Sequence, residues 1–281
     1  MMIDIITWVK DGAWMLPHTL KRIDDVIPSE SIHRKILVDD YSNDETREIG
    51  EDFNWEVYMN PNSGISFGAN FALSKVDCPY FMSIEQDLLL NKNWWSKIPR
   101  LLDNKDVMVA SGVRIPNKPV AVQKLQEHMT ERYRRGAASN SLFFNGKTLD
   151  NTLFKTELLR RIGGFPCLKV SAGVDNVLAI KIAEHGLKWI VDFDVKSIHL
   201  RNGLMHELNH YYWYGICNHE LNKHLGKYGT KTSKILLNTL LSPVVGLKVA
   251  IRKRCWQIMP TYTSIRLSIF FGILRSHLTC T

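Results

Sequence analysis

The sequence predicts an α/β fold with a mostly parallel sheet flanked by helices, followed by a helical C-terminal appendage that is basic and aromatic. Three observations carry this prediction. Short β-rich runs alternate with helical patterns through the first half of the 281 residues, as βαβ units around a parallel sheet require. A composition of 45% hydrophobic and 23% charged residues is near the globular average and excludes disordered, collagen-like and low-complexity chains. Charge is unevenly spread, because the ten Lys and Arg after Asn202 face only Glu207 and Glu220, whereas the preceding residues balance.

Strands are expected at 2–7, 35–39, 55–59, 80–84 and 107–112, with helices at 17–27, 44–53, 66–74 and 94–102 between them. Ser42, Asn43 and Asp44 are capping candidates for the second helix. From 114 to 145 the pattern is polar and less regular, and Arg132, Arg134 and Arg135 read as a solvated face or as a loop meeting acceptor or phosphate. Order resumes with a helix at 156–162, the Gly163-Gly164-Phe165 turn, a helix near 175–185 and two short strands at 188–192 and 195–199. Folding a chain of this length buries about three-quarters of its surface, enough for one large domain at 1–202 and a tail at 203–281.

Five widely spaced cysteines lack a C-x-x-C pair, so neither a disulfide framework nor a cysteine zinc site is expected, and a reducing, cytoplasmic compartment fits. The opening MMIDIITW reads as a strand rather than a signal peptide. The most apolar stretch, 235–251, is interrupted by Asn238, Ser242, Pro243 and Lys248 and falls short of the ~20 residues that span a bilayer.

In open α/β sheets ligands bind beyond the carboxyl ends of the strands, so the polar residues there are the first candidates: Thr7, Asp39 and Asp40, Asn60 and Asn62, and Glu85 with Asp87. The segment LVDDYSNDET reads either as a carboxylate pair for a base or ribose or as a capped turn with solvated acids. In FMSIEQDLLL the acids Glu85 and Asp87 share one side of an extended chain. Paired oxygen ligands of this kind suit Mg²⁺ or Mn²⁺ bridging a diphosphate.

In chain order IITW, DDYSNDET, NPNSGISFGAN, EQD, GGF, GVDNVLAIKI and SIHL run from Ile3 to Leu200, and together they resemble a family 2 glycosyltransferase of the GT-A fold. The resemblance implies a GT-A domain at 1–202 and a nucleotide-sugar donor. It places Thr7, Asp40 and Asn62 at the nucleoside side, with Asp39 in support. It also implies that Asp87, Glu85 and His199 hold Mn²⁺ or Mg²⁺, and that Asp175 is the general base of an inverting transfer. The acceptor is then a glycan, a polyprenyl-linked molecule, or another hydroxyl or phosphate. Three positions depart from the family pattern: Glu85 stands for the first Asp of D-x-D, Ala69 for an Arg, and Val174 for the Glu of an E-D pair.

Two other readings accompany this one. Those three departures fit a catalytically weakened sugar-nucleotide-binding protein. HELNH at 206–210 matches the H-E-x-x-H zinc hydrolase pattern, although Trp213 and Ile216 stand where a metzincin continuation needs Gly and His. For the tail, apolar segments bordered by Arg252, Lys253, Arg254 and Trp256 suggest peripheral attachment to an anionic membrane at its cytoplasmic face. A helical lid is the alternative, and nucleic acid is not an expected partner because no nucleic-acid-binding fold accompanies the charge.

Overall fold

The computed structural model describes residues 1–137, 146–170 and 172–279. In chain order its first elements are β1 (Ile3–Val9), α1 (Leu16–Val26), β2 (Ile32–Asp39), α2 (Thr46–Asp52), β3 (Glu56–Met59), α3 (Ile65–Ser74), β4 (Tyr80–Ile84), β5 (Leu88–Leu89), α4 (Trp94–Lys97) and β6 (Val107–Pro116). Then follow α5 (Val120–Ala137), β7 (Asn151–Lys155), α6 (Thr156–Arg161), α7 (Val174–Glu184), β8 (Lys188–His199), α8 (Leu204–Leu225), α9 (Thr232–Leu240), α10 (Ser242–Lys253) and α11 (Ile258–Thr279).

The strands form one eight-stranded sheet in the order β3-β2-β1-β4-β7-β6-β8-β5. β1 is buried along its length, as a central strand is when both faces are covered. It pairs in parallel with β2 and β4, and β2 with β3, which is the predicted βαβ half. The other half is mixed in direction: β7 runs antiparallel to both β4 and β6, and β5 runs antiparallel to β8. The two strands expected at 188–192 and 195–199 are one strand, β8, whose side chains alternate inward and outward past Asp192 and Asp194. Thr7 was expected at a strand end, but β1 continues to Val9.

One sheet face carries Ile3, Ile5 and Val9 against Leu16, Leu20 and Ile23 of α1 and against Trp94. The spacing of those three α1 residues is the apolar stripe of an amphipathic helix. Across the sheet, Phe81 stacks on Phe154 at 4.8 Å, and Phe165 meets both edge-on.

The chain divides into two compact units, one of Met1–Arg114, Leu142–Leu168 and Val174–Leu200, the other of Ile115–Ser141, Lys169–Gly173 and Arg201–Thr281. The sequence-based division at residue 202 assigns 115–141 and 169–173 to the first domain; in the structure both segments belong to the second unit. There α5 contributes Ala121, Val122 and Leu125 to a core with Val249, Ala250, Ile258 and Ile265. Helices α8 and α11 of this unit touch backbone to backbone: a Cβ at Gly215 would lie 2.2 Å from the Ile269 carbonyl, and one at Gly272 2.1 Å from that of Tyr212. Any side chain there would drive the helices apart.

Candidate active site

Antiparallel pairing of β5 with β8 puts Leu88 opposite His199 and so carries the end of the E-Q-D segment to the end of β8. Asp87 Oδ2 and His199 Nε2 are 2.8 Å apart, both side chains are buried, and the Leu200 N–H donates to the Asp87 carbonyl at 2.8 Å. The chain is not extended here, since β4 ends at Ile84 and residues 86–87 turn, and across that turn Glu85 completes a group whose ligand atoms all lie within 4.8 Å of one another. Two carboxylates and one imidazole are hard and borderline donors, a set that fits Mn²⁺ or Mg²⁺. Three residues placed by the sequence as candidate metal ligands are thus brought together.

Gln86 fixes the segment from its other side. Its Oε1 accepts from the Lys10 N–H at 2.8 Å, and its Nε2 donates to the Lys10 carbonyl at 3.0 Å. The amide thereby imitates a neighbouring strand for the residue that follows β1. The Gln86 carbonyl accepts from Thr19 Oγ1 at 2.8 Å, which ties the segment to α1.

Arg114, from β6, was not singled out by the sequence. Its guanidinium donates to Asp150 at 2.7 Å and to Glu85 at 3.3 Å, and Asp150 is fully buried, accepting also from Thr148 Oγ1 at 2.5 Å. Asp175 stands at the N-terminal turn of α7, partly buried, with the Asn176 N–H donating to it at 2.8 Å. Removal from water pushes its carboxyl up to about 6, and Asp150 adds to the rise, while the positive Arg114 holds it down. Arg114 therefore acts electrostatically on the base candidate while bonded to one candidate metal ligand.

The nucleoside candidates are distributed differently. Asp39 is fully buried and accepts from the Ser42 N–H at 3.1 Å, so it braces its own turn. Asp40 accepts from Asn60 Nδ2 at 2.9 Å, the Gly64 N–H at 3.0 Å and Ser63 Oγ at 3.1 Å, which fastens the loop after β3 to the end of β2. Asn62, in that loop, is exposed. Thr7 lies in the core with a hydroxyl that finds no partner among the described residues; by alternation along β1 it shares the face of Ile3, Ile5 and Val9. The capping candidates turn toward the loop after β1: Ser42 Oγ accepts from the Asp11 N–H and Asp44 Oδ2 from the Ala13 N–H, at 2.9 and 3.0 Å.

Two of the segments in the family order meet in the structure. Asn70 of α3 accepts from the Phe165 N–H and donates to the Phe165 carbonyl, both at 2.9 Å, so the Gly163-Gly164-Phe165 turn docks on α3. Gly164 adopts φ +70 there, and a Cβ would lie 2.5 Å from Asn70 Oδ1. Ala69 and Val174 are both buried, so two of the three departures from the family pattern fall on interior positions. In HELNH, Glu207 is buried and ion-paired with Arg201 at 2.9 Å. Among the described residues His206 and His210 join no potential metal cluster, and the zinc hydrolase reading finds no support.

Comparison with known proteins agrees with this architecture. The family model described as Glycosyl transferase family 2 matches residues 9–163. Among solved structures, the mannosyltransferase PcManGT from Pyrobaculum calidifontis, in complex with GDP-Man and Mn²⁺, is 16% identical with a TM-score of 0.69, over 99% of this chain and 88% of that one. S. aureus TarS 1-349 in complex with UDP-GlcNAc is 14% identical with a TM-score of 0.55, over 99% of this chain and 92% of that one. No curated protein sequence matches the chain.

Proposed function

The chain belongs to glycosyl transferase family 2, and on that premise we propose that it moves a sugar from a nucleotide-diphosphate donor to an acceptor with inversion at the anomeric carbon. The observation that carries this reading is the convergence of Glu85, Asp87 and His199 within 4.8 Å, with Arg114 linking Glu85 electrostatically to Asp175. The GDP-Man and Mn²⁺ of the mannosyltransferase structure support the same ligand class here. A divalent cation held by Asp87, Glu85 and His199 would neutralise the negative charge that gathers on the departing nucleoside diphosphate.

The protein's own part is positioning and proton transfer. Asp175, ionised above about pH 6, takes the proton of an acceptor hydroxyl as that oxygen bonds to the anomeric carbon. The bond from that carbon to the diphosphate oxygen breaks on the opposite face, and its electron pair leaves with the nucleotide. A phosphate acceptor, already ionised, would not need the base. Glycans and polyprenyl-linked molecules both qualify as acceptors on this chemistry.

A binding-only reading has one specific support: the Glu85 carboxylate is partly neutralised by Arg114 at 3.3 Å. A panel of nucleotide sugars with Mn²⁺ or Mg²⁺ separates the two readings. Metal-dependent transfer or donor hydrolysis supports the enzyme; tight donor binding with neither reaction across donors and acceptors would leave a sugar-nucleotide binder.

A further inference from the structure

Helices α9 and α10 of the second unit are built inside out. Their buried residues are Ile235 and Thr239, then Ser242, Gly246, Val249 and Ala250, a mostly small or hydroxylated stripe at helical spacing. The hydroxyls are satisfied within the pair: Thr239 Oγ1 donates to the Ile235 carbonyl and Ser242 Oγ to that of Thr239. The large aliphatic residues face outward instead, including Leu236, Leu237, Leu240, Leu241, Val244 and Ile251, with Leu240 and Val244 each 68% exposed. A soluble monomer rarely presents a contiguous apolar surface of this kind to water.

Helices in lipid show the opposite pattern to those in water, with small residues where backbones approach and aliphatic ones where the tails are. The inner stripe behaves accordingly, since a Cβ at Gly246 would lie 3.0 Å from the Met259 carbonyl. The charge around the apolar face completes the match. Lys234 is exposed at its N-terminal end and Arg252 and Arg254 at its C-terminal end, Lys248 is exposed between Val244 and Ile251, where its long stem lets the ammonium reach the headgroups, and Trp256 near that end is 70% exposed. No acidic residue follows Glu220.

Among the described residues no single helix is long and apolar enough to cross a membrane, but α9 and α10 pass that test together across a 57° bend. Even α10, at ~1.5 Å per residue, reaches only about 18 Å, well under the ~30 Å of a hydrocarbon core. We propose that the bent α9–α10 pair docks on one leaflet of an anionic membrane, its outward aliphatic residues among the acyl chains and its cations on the headgroups. The proposal concerns the second unit and stands or falls independently of the reaction proposed for the first.

The test is co-sedimentation of the full chain with vesicles of phosphatidylcholine alone and with phosphatidylglycerol added, at low and high salt. Wild-type protein should bind the anionic vesicles more tightly, and less so at high salt. The exposed substitutions L240E/V244E should abolish sedimentation while leaving the thermal melt unchanged. K248Q/R252Q should weaken anionic binding about 30-fold, at about fivefold per headgroup contact. Failure of the wild type to sediment at low salt, or undiminished binding by L240E/V244E, would overturn the proposal. So would a concentration-dependent dimer that L240E/V244E dissociates, without vesicle binding, because a second copy would then cover this face.

Discussion

Asp87 and His199, 112 residues apart in sequence, meet at 2.8 Å because a two-residue strand, β5, registers Leu88 against His199. Either side chain alone is an ordinary polar group at a strand end; together with Glu85 they are a chelating set. Asp87→Ala should therefore weaken Mn²⁺ binding by at least the ~10- to 100-fold that the loss of an outer-shell partner costs. His199→Ala should weaken it in the same direction, and Glu85→Ala less, since Glu85 already shares Arg114. Titration calorimetry with Mn²⁺, with and without nucleotide, checks the order; an unaltered affinity in Asp87→Ala removes it from the metal site.

Asp175 links rate and stability through one proton. Its carboxyl is raised from 3.8 to about 6, so transfer to a hydroxyl acceptor should climb tenfold per pH unit below 6 and level off above. Asp175→Asn should cut that transfer by roughly 10²- to 10⁴-fold with donor affinity intact. A raised carboxyl pKa makes the folded state hold its proton more tightly than the unfolded chain, so stability present at pH 4 is lost as pH rises through 6. Asp175→Asn should accordingly melt higher than wild type at pH 7 and not at pH 4.

Replacing Arg114 tests the electrostatics separately from the base. Arg114→Gln removes the positive charge that holds Asp175 down, and the acidic limb of the pH–rate profile should move above 6. The same change leaves the fully buried Asp150 without its ionic partner, with the Thr148 hydroxyl remaining, at a cost of roughly 3–5 kcal/mol in a denaturant melt. Arg114→Lys keeps the charge and should hold the limb near 6. A profile unmoved in Arg114→Gln would show that Asp175 is not the titrating group.

Gly215→Ala and Gly272→Ala should each lower the melting temperature of the second unit, since the new methyl meets backbone at 2.2 and 2.1 Å. Overpacking of this kind costs about 1–3 kcal/mol, occasionally more. Differential scanning calorimetry reads the shift, and a melt within error of wild type would show that α8 and α11 do not cross at these glycines.

The βαβ half of the fold was legible because β1 and β4 are apolar runs and α1 carries a periodic apolar stripe. β7 was not: its residues Asn151 and Thr152 are polar and fully buried, and their suitability for a sheet interior rests on partners such as Trp94 Nε1, which donates to the Asn151 carbonyl at 3.0 Å. α5 stayed hidden because little of its surface is apolar, and the core that receives Ala121, Val122 and Leu125 comes from residues more than a hundred positions later. β8 read as two strands because Asp192 and Asp194 resemble a turn, although they occupy the less buried positions of one alternating strand.

The site divides along the same line. Glu85, Asp87 and His199 were readable because each sits at the end of an apolar run, where side-chain chemistry is not consumed by the core. Arg114 and Asp150 carry no local signature, and only the pairing of β7 with β6 explains why a cation and a buried acid belong side by side. Thr7 shows the reverse case, a polar residue that looks terminal in sequence and is enclosed in the structure.

The Gln86 side chain carries a consequence for how mutational scans of this protein will read. Its reciprocal bonds to Lys10 make the middle letter of E-Q-D a splint that limits the wandering of the acids on either side. Gln86→Ala would delete no donor atom of the metal set and yet spread Glu85 and Asp87 over more conformations, so each binding event would have to freeze them anew. The deficit would surface as lost binding entropy with little change in enthalpy, and a screen scoring activity alone would record Gln86 as a ligand.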